Sequence, residues 1–302
     1  MVILVSLPFW WGMNILEKNL ENFFYLREIG KNPPQLFVAQ IAQNYTSKSP
    51  ETVIFEGSQV EAEGVMSVEI DKEGKERVLF SRVENQKMPI ASLTKLMTGI
   101  IVSEFYQPFL RIQISKEAVG QPEGNGDLKV GEILQAKDLL YIMLIESSND
   151  AAFALAEVIG VKGFVDLMNL KAKDMGLEDT RFFEPTGLDP EDPAQPVNYS
   201  SAQDLVKLGK YLLSEHPEIL ETLGKKEYPL YLENGVFHHT LQNTNELLGE
   251  IPGIIAGKTG FTERAGGCLI LILEGKNPGT YLINVILNSP DKFEDMRKLC
   301  SQ

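Results

Sequence analysis

The distribution of strand-type sequence along the chain constrains its fold more than any other feature. Runs rich in apolar and β-branched residues occur at 64–70 and 77–82, joined by the turn Asp71-Lys72-Glu73-Gly74-Lys75. Similar runs return at 251–261, 267–273 and 281–287, separated by turn sequences at 262–266 and 274–279. The middle of the chain has a helical pattern instead. Apolar residues recur at helical spacing through 136–146, 151–159 and 161–175, with Gly176 as a stop for the last of these. Residues 201–214 read as another amphipathic helix, capped by Ser200 or Ser201. A helix is expected to open at Pro89 and run through Leu96, Met97, Ile100 and Ile101, because proline is harmless in a first turn. Another is expected to start at Pro290-Asp291. Residues 182–196 form a Pro/Gly/Asp-rich loop, long enough to suggest a functional role. Strands at both ends with helices between predict an α/β (α+β) fold. In it a mainly antiparallel sheet is built from both chain ends, with flanking helices and an inserted helical subdomain at about 105–200.

Charge and residue usage narrow the function. Asp and Glu number 42 against 28 Lys and Arg, a formal charge of -14, and no basic stripe is present for nucleic acid. Two cysteines do not make a disulfide framework, and Cys268, inside an apolar run, reads as a buried inert thiol. His216, His238 and His239 have no spacing that suits tetrahedral ligation and are expected as solvated-loop residues, so no metal or other cofactor is implied.

Three short motifs carry chemistry. Ser92-Leu93-Thr94-Lys95 places a hydroxyl and an amine three residues apart at a helix start, on one face, where the amine can take the hydroxyl proton if burial keeps it neutral. Average usage produces roughly one such pair by chance in a chain of this length. Ser147-Ser148-Asn149 falls between two predicted helices. Ser147 can pass a proton to a leaving amine and Asn149 can hold both a lysine and a substrate carbonyl, whereas Ser148 reads as a helix cap. Lys258-Thr259-Gly260 lies in a strand-type run. There an edge strand can pair with an extended peptide, Gly260 allows close approach, and Lys258 and Thr259 offer a cation and a hydroxyl to a terminal carboxylate.

Together and in this order, the motifs resemble those of the low-molecular-mass penicillin-binding proteins, the serine D-alanyl-D-alanine carboxypeptidases, within the wider β-lactamase and transpeptidase group. The likeness extends to Pro185-Thr186-Gly187-Leu188-Asp189 and Gly257-Lys258-Thr259-Gly260-Phe261-Thr262, and covers roughly residues 50 to 290. It implies Ser92 as acylated nucleophile, Lys95 as base and Ser147 as proton relay. Asn149, Lys258, Thr259, Gly260 and Phe261 would bind substrate, with the backbone N–H groups of Ser92 and Phe261 around the oxyanion. It implies peptidoglycan stem peptides as substrates, β-lactams as covalent inhibitors, and a place in the cell envelope outside the cytoplasm. One departure is Pro252-Gly253-Ile254-Ile255-Ala256-Gly257, where the family often has an acidic residue and glycine before the lysine.

Two rivals are a class A-like β-lactamase, for which Glu184 would be the deacylating glutamate, and a non-catalytic wall-binding protein. The almost wholly apolar start of the chain, Met1 to Leu16, with Trp10 and Trp11, reads as part of a membrane-anchor-like segment over 1–30. A breaker-rich linker is expected over 31–50 and the peptidase domain over 51–302.

Overall fold

The structure, a computed structural model, describes residues 60–301. The expected anchor (1–30) and linker (31–50) lie outside the described residues. Strands β1 (Gly64–Ile70) and β2 (Glu76–Arg82) form a hairpin, and β9 (Ile254–Thr262), β10 (Gly266–Glu274) and β11 (Tyr281–Ser289) form a meander late in the chain. They join into one five-stranded sheet in the order β2-β1-β11-β10-β9, every pair antiparallel. The pairing of β1 with β11 closes the sheet between the two ends of the described chain, as the sequence pattern predicted.

Both faces of this sheet are covered, which is why β10 is apolar from Cys268 to Leu273. On β10, Cys268, Ile270 and Ile272 point into the larger core, while the alternate residues Leu269, Leu271 and Leu273 point into a second, smaller one. The smaller core is capped by Met296 and Leu299 of the C-terminal helix α8 (Lys292–Cys300), whose first turn is capped by Asp291. The larger core lies under the remaining helices: α1 (Thr94–Phe105), α2 (Lys116–Val119), α3 (Ala136–Ile145), α4 (Asn149–Glu157), α5 (Val161–Asp174), α6 (Ala202–Glu215) and α7 (Pro217–Leu223). Every residue of α1 from 94 to 102 is buried, so this helix is the axis of the helical layer.

The structure corrects the sequence reading at several points. Pro89 does not open a helix. With Met88 it forms the two-residue strand β3, paired with β6 (Tyr199–Ser200), and α1 is entered through a tight 3-10 turn at Ala91–Leu93. The structure also holds two small antiparallel strand pairs in segments that carry no strand signal in the sequence. These are β4 (Arg111–Gln113) with β5 (Ile133–Gln135), and β7 (Glu227–Tyr231) with β8 (Phe237–Gln242). The histidines are not solvated-loop residues. His216 is buried at the α6–α7 junction against Glu104 and Glu218, while His238 and His239 lie on β8 facing Glu132 and Glu146. Ser201, rather than Ser200, caps α6. Among the described residues no helix is long and apolar enough to cross a membrane.

Candidate active site

Four chain segments meet at the edge of the sheet beside β9. The first is the 3-10 turn entering α1. Ala91 has φ of 46°, a strained value for a residue with a Cβ, and it turns Ser92 toward the cleft while Lys95 enters the core one helical turn later. Residues three apart on such a start share a face, and Lys95 Nζ lies 2.9 Å from Ser92 Oγ. The same nitrogen reaches Asn149 Oδ1 at 2.7 Å and the Thr186 carbonyl at 2.6 Å.

The second segment is the turn between α3 and α4. Ser147 sits there with φ of 61°, another strained position, and Ser148 caps α4 by accepting from Ala151 N at 3.1 Å. Its own hydroxyl donates to the Asn125 carbonyl. Asn149, the first residue of α4, accepts from Lys95 and donates to the Pro122 carbonyl at 2.9 Å, so one side chain ties the lysine to the loop walling the cleft. The cap reading of Ser148 is therefore correct.

The third segment is β9, an edge strand of the sheet. Lys258 Nζ donates to Ser147 Oγ at 2.8 Å and to the Thr259 carbonyl at 3.2 Å, and the Thr259 hydroxyl is 2.6 Å from that of Thr244. A Cβ on Gly260 would lie 3.1 Å from Ser92 N and from the Ile90 carbonyl oxygen, so glycine lets β9 pass this close behind the serine without pressing on its turn. Phe261, largely exposed, stands at the rim with the Lys292 ammonium 5.9 Å from its ring centre. Ser92, Ser147, Asn149, Thr259, Gly260 and Phe261 line one cleft of about 270 Å³. A second cleft of about 570 Å³, with Asp150, Glu146 and His239 in its wall, adjoins it through Asn125, Glu146 and Thr244.

The fourth segment is the loop at Glu184–Gly187. Gly187 has φ of 93°, and a Cβ there would collide with the Ala91 carbonyl, so the loop is pressed onto the turn that presents Ser92. The loop contributes the Thr186 carbonyl to Lys95 and Pro185's carbonyl to the Thr98 hydroxyl at 2.7 Å. Asn198 secures it, donating to the Glu184 carboxylate at 2.7 Å and to Thr94 Oγ1 at 3.0 Å. Sequence reasoning did not place Thr186, Asn198 or Thr244 in the site. A backbone carbonyl leaves no residue-type signature, and a lone Thr or Asn in a loop is too common to single out.

Both lysines are buried without a carboxylate in contact. Burial is the main cause that brings Lys95 from an ordinary 10.5 to about 7, against the opposing charges of Glu184 and Glu123. Burial also holds Lys258 well below its ordinary value, and the nearby cations of Lys95 and Lys292 add to the effect. An amine so placed can exchange a proton with a hydroxyl near neutral pH. Among the described residues no group of three or more His, Cys, Asp or Glu is arranged to hold a metal ion.

Comparison with known proteins shows the family. The family model for D-alanyl-D-alanine carboxypeptidases matches residues 48–291. The chain belongs to that family. It is 36% identical over 201 residues to the D-alanyl-D-alanine carboxypeptidase DacF of Bacillus subtilis, covering 64% of this chain and 50% of that protein. It is 34% identical over 204 residues to a D-alanyl-D-alanine endopeptidase of Escherichia coli, covering 65% of this chain and 62% of that protein. The chain thus spans about half to two thirds of the length of these relatives. A penicillin-binding protein of Listeria monocytogenes, solved in its cefotaxime-bound form, superposes with a TM-score of 0.69 at 30% identity, covering 82% of this chain and 98% of that one. A D-alanyl-D-alanine carboxypeptidase of Mycobacterium tuberculosis shares the fold at a TM-score of 0.71 and 23% identity, covering 84% of this chain and 95% of that one.

Proposed function

We propose that this family member is a serine D-Ala-D-Ala carboxypeptidase that removes the terminal D-alanine of peptidoglycan stem peptides through an acyl-enzyme on Ser92. The observation that carries the proposal is the set of contacts at Lys95 Nζ: Ser92 Oγ, Asn149 Oδ1 and the Thr186 carbonyl. A neutral amine has two N–H groups and one lone pair. It matches this set when Asn149 and Thr186 accept and the Ser92 hydroxyl donates to the lone pair. The amine is then a base in position.

The steps follow from the placement. Ser92 Oγ attacks the carbonyl carbon of the penultimate D-alanine as its proton passes to Lys95. The backbone N–H groups of Ser92 and Phe261 hold the developing oxyanion, each such donor being worth about 3 kcal/mol of barrier. The C–N bond breaks as Ser147, bridged to Lys258, gives its proton to the departing amine and is reprotonated by the one Lys95 took from Ser92. Water then cleaves the ester and restores Ser92. Lys258 and Thr259 grip the terminal carboxylate beside Gly260 and Phe261, which selects the last peptide bond of the chain.

Penicillins are inhibitors in this reading because their carboxylate and strained amide use the same contacts. The cefotaxime-bound relative supports this. The β-lactamase rival needs a glutamate free to activate water. Glu184 instead accepts from Thr186 N, Thr186 Oγ1, Gly187 N and Asn198 Nδ2, which occupies both of its oxygens. The domain over 51–302 carries the chemistry, and the apolar segment over 1–30 tethers it to the outer side of the cytoplasmic membrane.

Mass spectrometry of a tryptic digest of the penicillin-treated protein tests the assignment: the adduct is expected on the peptide containing Ser92, and Ser92→Ala should abolish it with the melting temperature unchanged. An acyl-enzyme lasting minutes to hours supports the peptidase. Turnover within milliseconds would identify a lactamase, and no adduct at all a non-catalytic protein.

A further inference from the structure

Glu184 is a half-buried carboxylate that the proposed steps do not use. It lies in the loop beneath Lys95, and four donors converge on it. Thr186 N at 2.7 Å and Thr186 Oγ1 at 2.5 Å meet Oε2, while Gly187 N and Asn198 Nδ2, the latter at 2.7 Å, meet Oε1. An ionised carboxylate accepts all four at once. These bonds also shape the turn, because Thr186 and Gly187 donate from one side of it while the Thr186 carbonyl is delivered to Lys95 Nζ on the other. Asn198 extends the frame to Thr94, the neighbour of Lys95 on α1.

We propose that Glu184 is a positioning residue for Lys95: held as an anion by Thr186, Gly187 and Asn198, it fixes the carbonyl that orients the amine and sets the balance between the amine's charged and neutral forms. The charged groups facing Lys95 are Glu184 from the loop, Glu123 from across the cleft and Lys258 from β9. Glu184 is the first of these in its effect on the amine, opposing the loss of charge that burial favours. For Glu184 itself, burial raises the carboxyl above its ordinary 4.5, and the hydrogen bonds from Thr186 and Gly187 and the charge of Lys95 limit that rise. Coupling between two sites is reciprocal, so each group must move the titration of the other by the same amount.

The inference rests on Lys95 acting as the base, and the experiment separates the two ideas. The rate of acylation by benzylpenicillin is measured against pH for the full chain, Glu184→Gln and Glu184→Asp, each checked by thermal melting. The wild type should rise from acid to alkaline with a midpoint near 7, the value burial gives Lys95. Glu184→Gln should move that midpoint about one pH unit toward acid, because the anion that favours the charged amine is gone. Glu184→Asp should keep the wild-type midpoint with a lower plateau, because the charge remains and the turn is displaced. A wild-type profile flat between pH 6 and 8 would remove the base role itself. A wild-type midpoint that Glu184→Gln leaves in place would make Glu184 a strut only and overturn the proposal. If Glu184→Gln does not fold, Lys95→Ala reads the coupling from the other side. The infrared band of a protonated carboxyl should then appear at a higher pH than in the wild type, and no change would sink the idea.

Discussion

Helix α1 carries an ionisable side chain of consequence near each end, and the two are treated in opposite ways. Near its C-terminus Glu104 is surrounded by partners. Lys171 Nζ lies 2.5 Å from its Oε1, the Tyr211 hydroxyl donates to it at 2.7 Å, and His216 Nε2 is 3.2 Å away. Burial would raise this carboxyl, but the hydrogen bonds from His216, Lys171 and Tyr211 outweigh it and bring the pKa to about 2. Lys171 is raised despite its own burial, and His216 is raised first by Glu104. Each charge there is supported by its opposite. At the N-terminal end Lys95 is buried among neutral acceptors, and its nearest anions act only from a distance. One end of the helix stabilises its charges. The other withholds the counter-ion and leaves an amine able to change its charge near neutrality.

The contrast is broken most severely at Lys95. Lys95→Arg keeps a cation of similar reach but one that does not deprotonate in proteins. If the site depends on an amine that gives up its charge, acylation by benzylpenicillin should fall by at least about 10³-fold, measured by rapid-quench labelling. An arginine enzyme within tenfold of the wild type would mean that the charge, not the proton exchange, is what matters there.

Next in size is Lys258→Ala. The other buried lysine is assigned to substrate binding, so its loss should cost about 10²-fold in kcat/KM on a peptide ending in a free carboxylate, and under about tenfold on the matching neutral ester. Equal losses on both substrates would remove the carboxylate role. Gly260→Ala comes third. The added methyl would press on the Ser92 turn at 3.1 Å, and a displaced nucleophile should acylate roughly tenfold more slowly at an unchanged melting temperature.

The two ends of α1 also differ in how readable they were. The strands could be recognised from alternating and β-branched residues, because a sheet buried on both faces leaves a dense apolar record, as in residues 268 to 273 of β10. Ser92, Lys95, Ser147, Asn149 and the 258–260 strand could be singled out because the proposed chemistry calls for those side chains at those spacings. The fold brings Ser92, Ser147, Asn149, Thr259 and Gly260 to one cleft, with Lys95 and Lys258 buried behind it in contact with the two serines. What could not be read works through the backbone or over long range. The strained turn at Ala91 looked like a proline-started helix, and the Thr186 carbonyl has no side-chain signal. The partners of Glu104 come from α5, α6 and the α6–α7 junction, at separations no periodicity reports, so His216 read as a solvated loop residue when it is buried and paired.

The smallest effect is expected at the well-paired end, and it should touch stability alone. Glu104→Gln removes the anion from Lys171 and His216. The Glu104 side chain is about one-fifth exposed, at 21%, so the cost lies between that of an exposed pair and a buried one, about 1 kcal/mol. Acylation per folded molecule should not change, because the cluster takes no part in the chemistry. The sign of the pH dependence follows from the direction of each shift. Glu104 is lowered, so its stabilisation is present above its ordinary 4.5 and is lost as pH falls toward 2. His216 is raised, so its share is present below its ordinary 6.5 and is lost as pH rises through the higher value it has when folded. The stability gap between wild type and Glu104→Gln, followed by urea unfolding, should therefore be widest between about pH 5 and 6 and close toward pH 2. A gap that stayed constant from pH 6 to pH 2 would mean that the cluster is held by packing, not charge. The opposition between the two ends of the helix would then be lost.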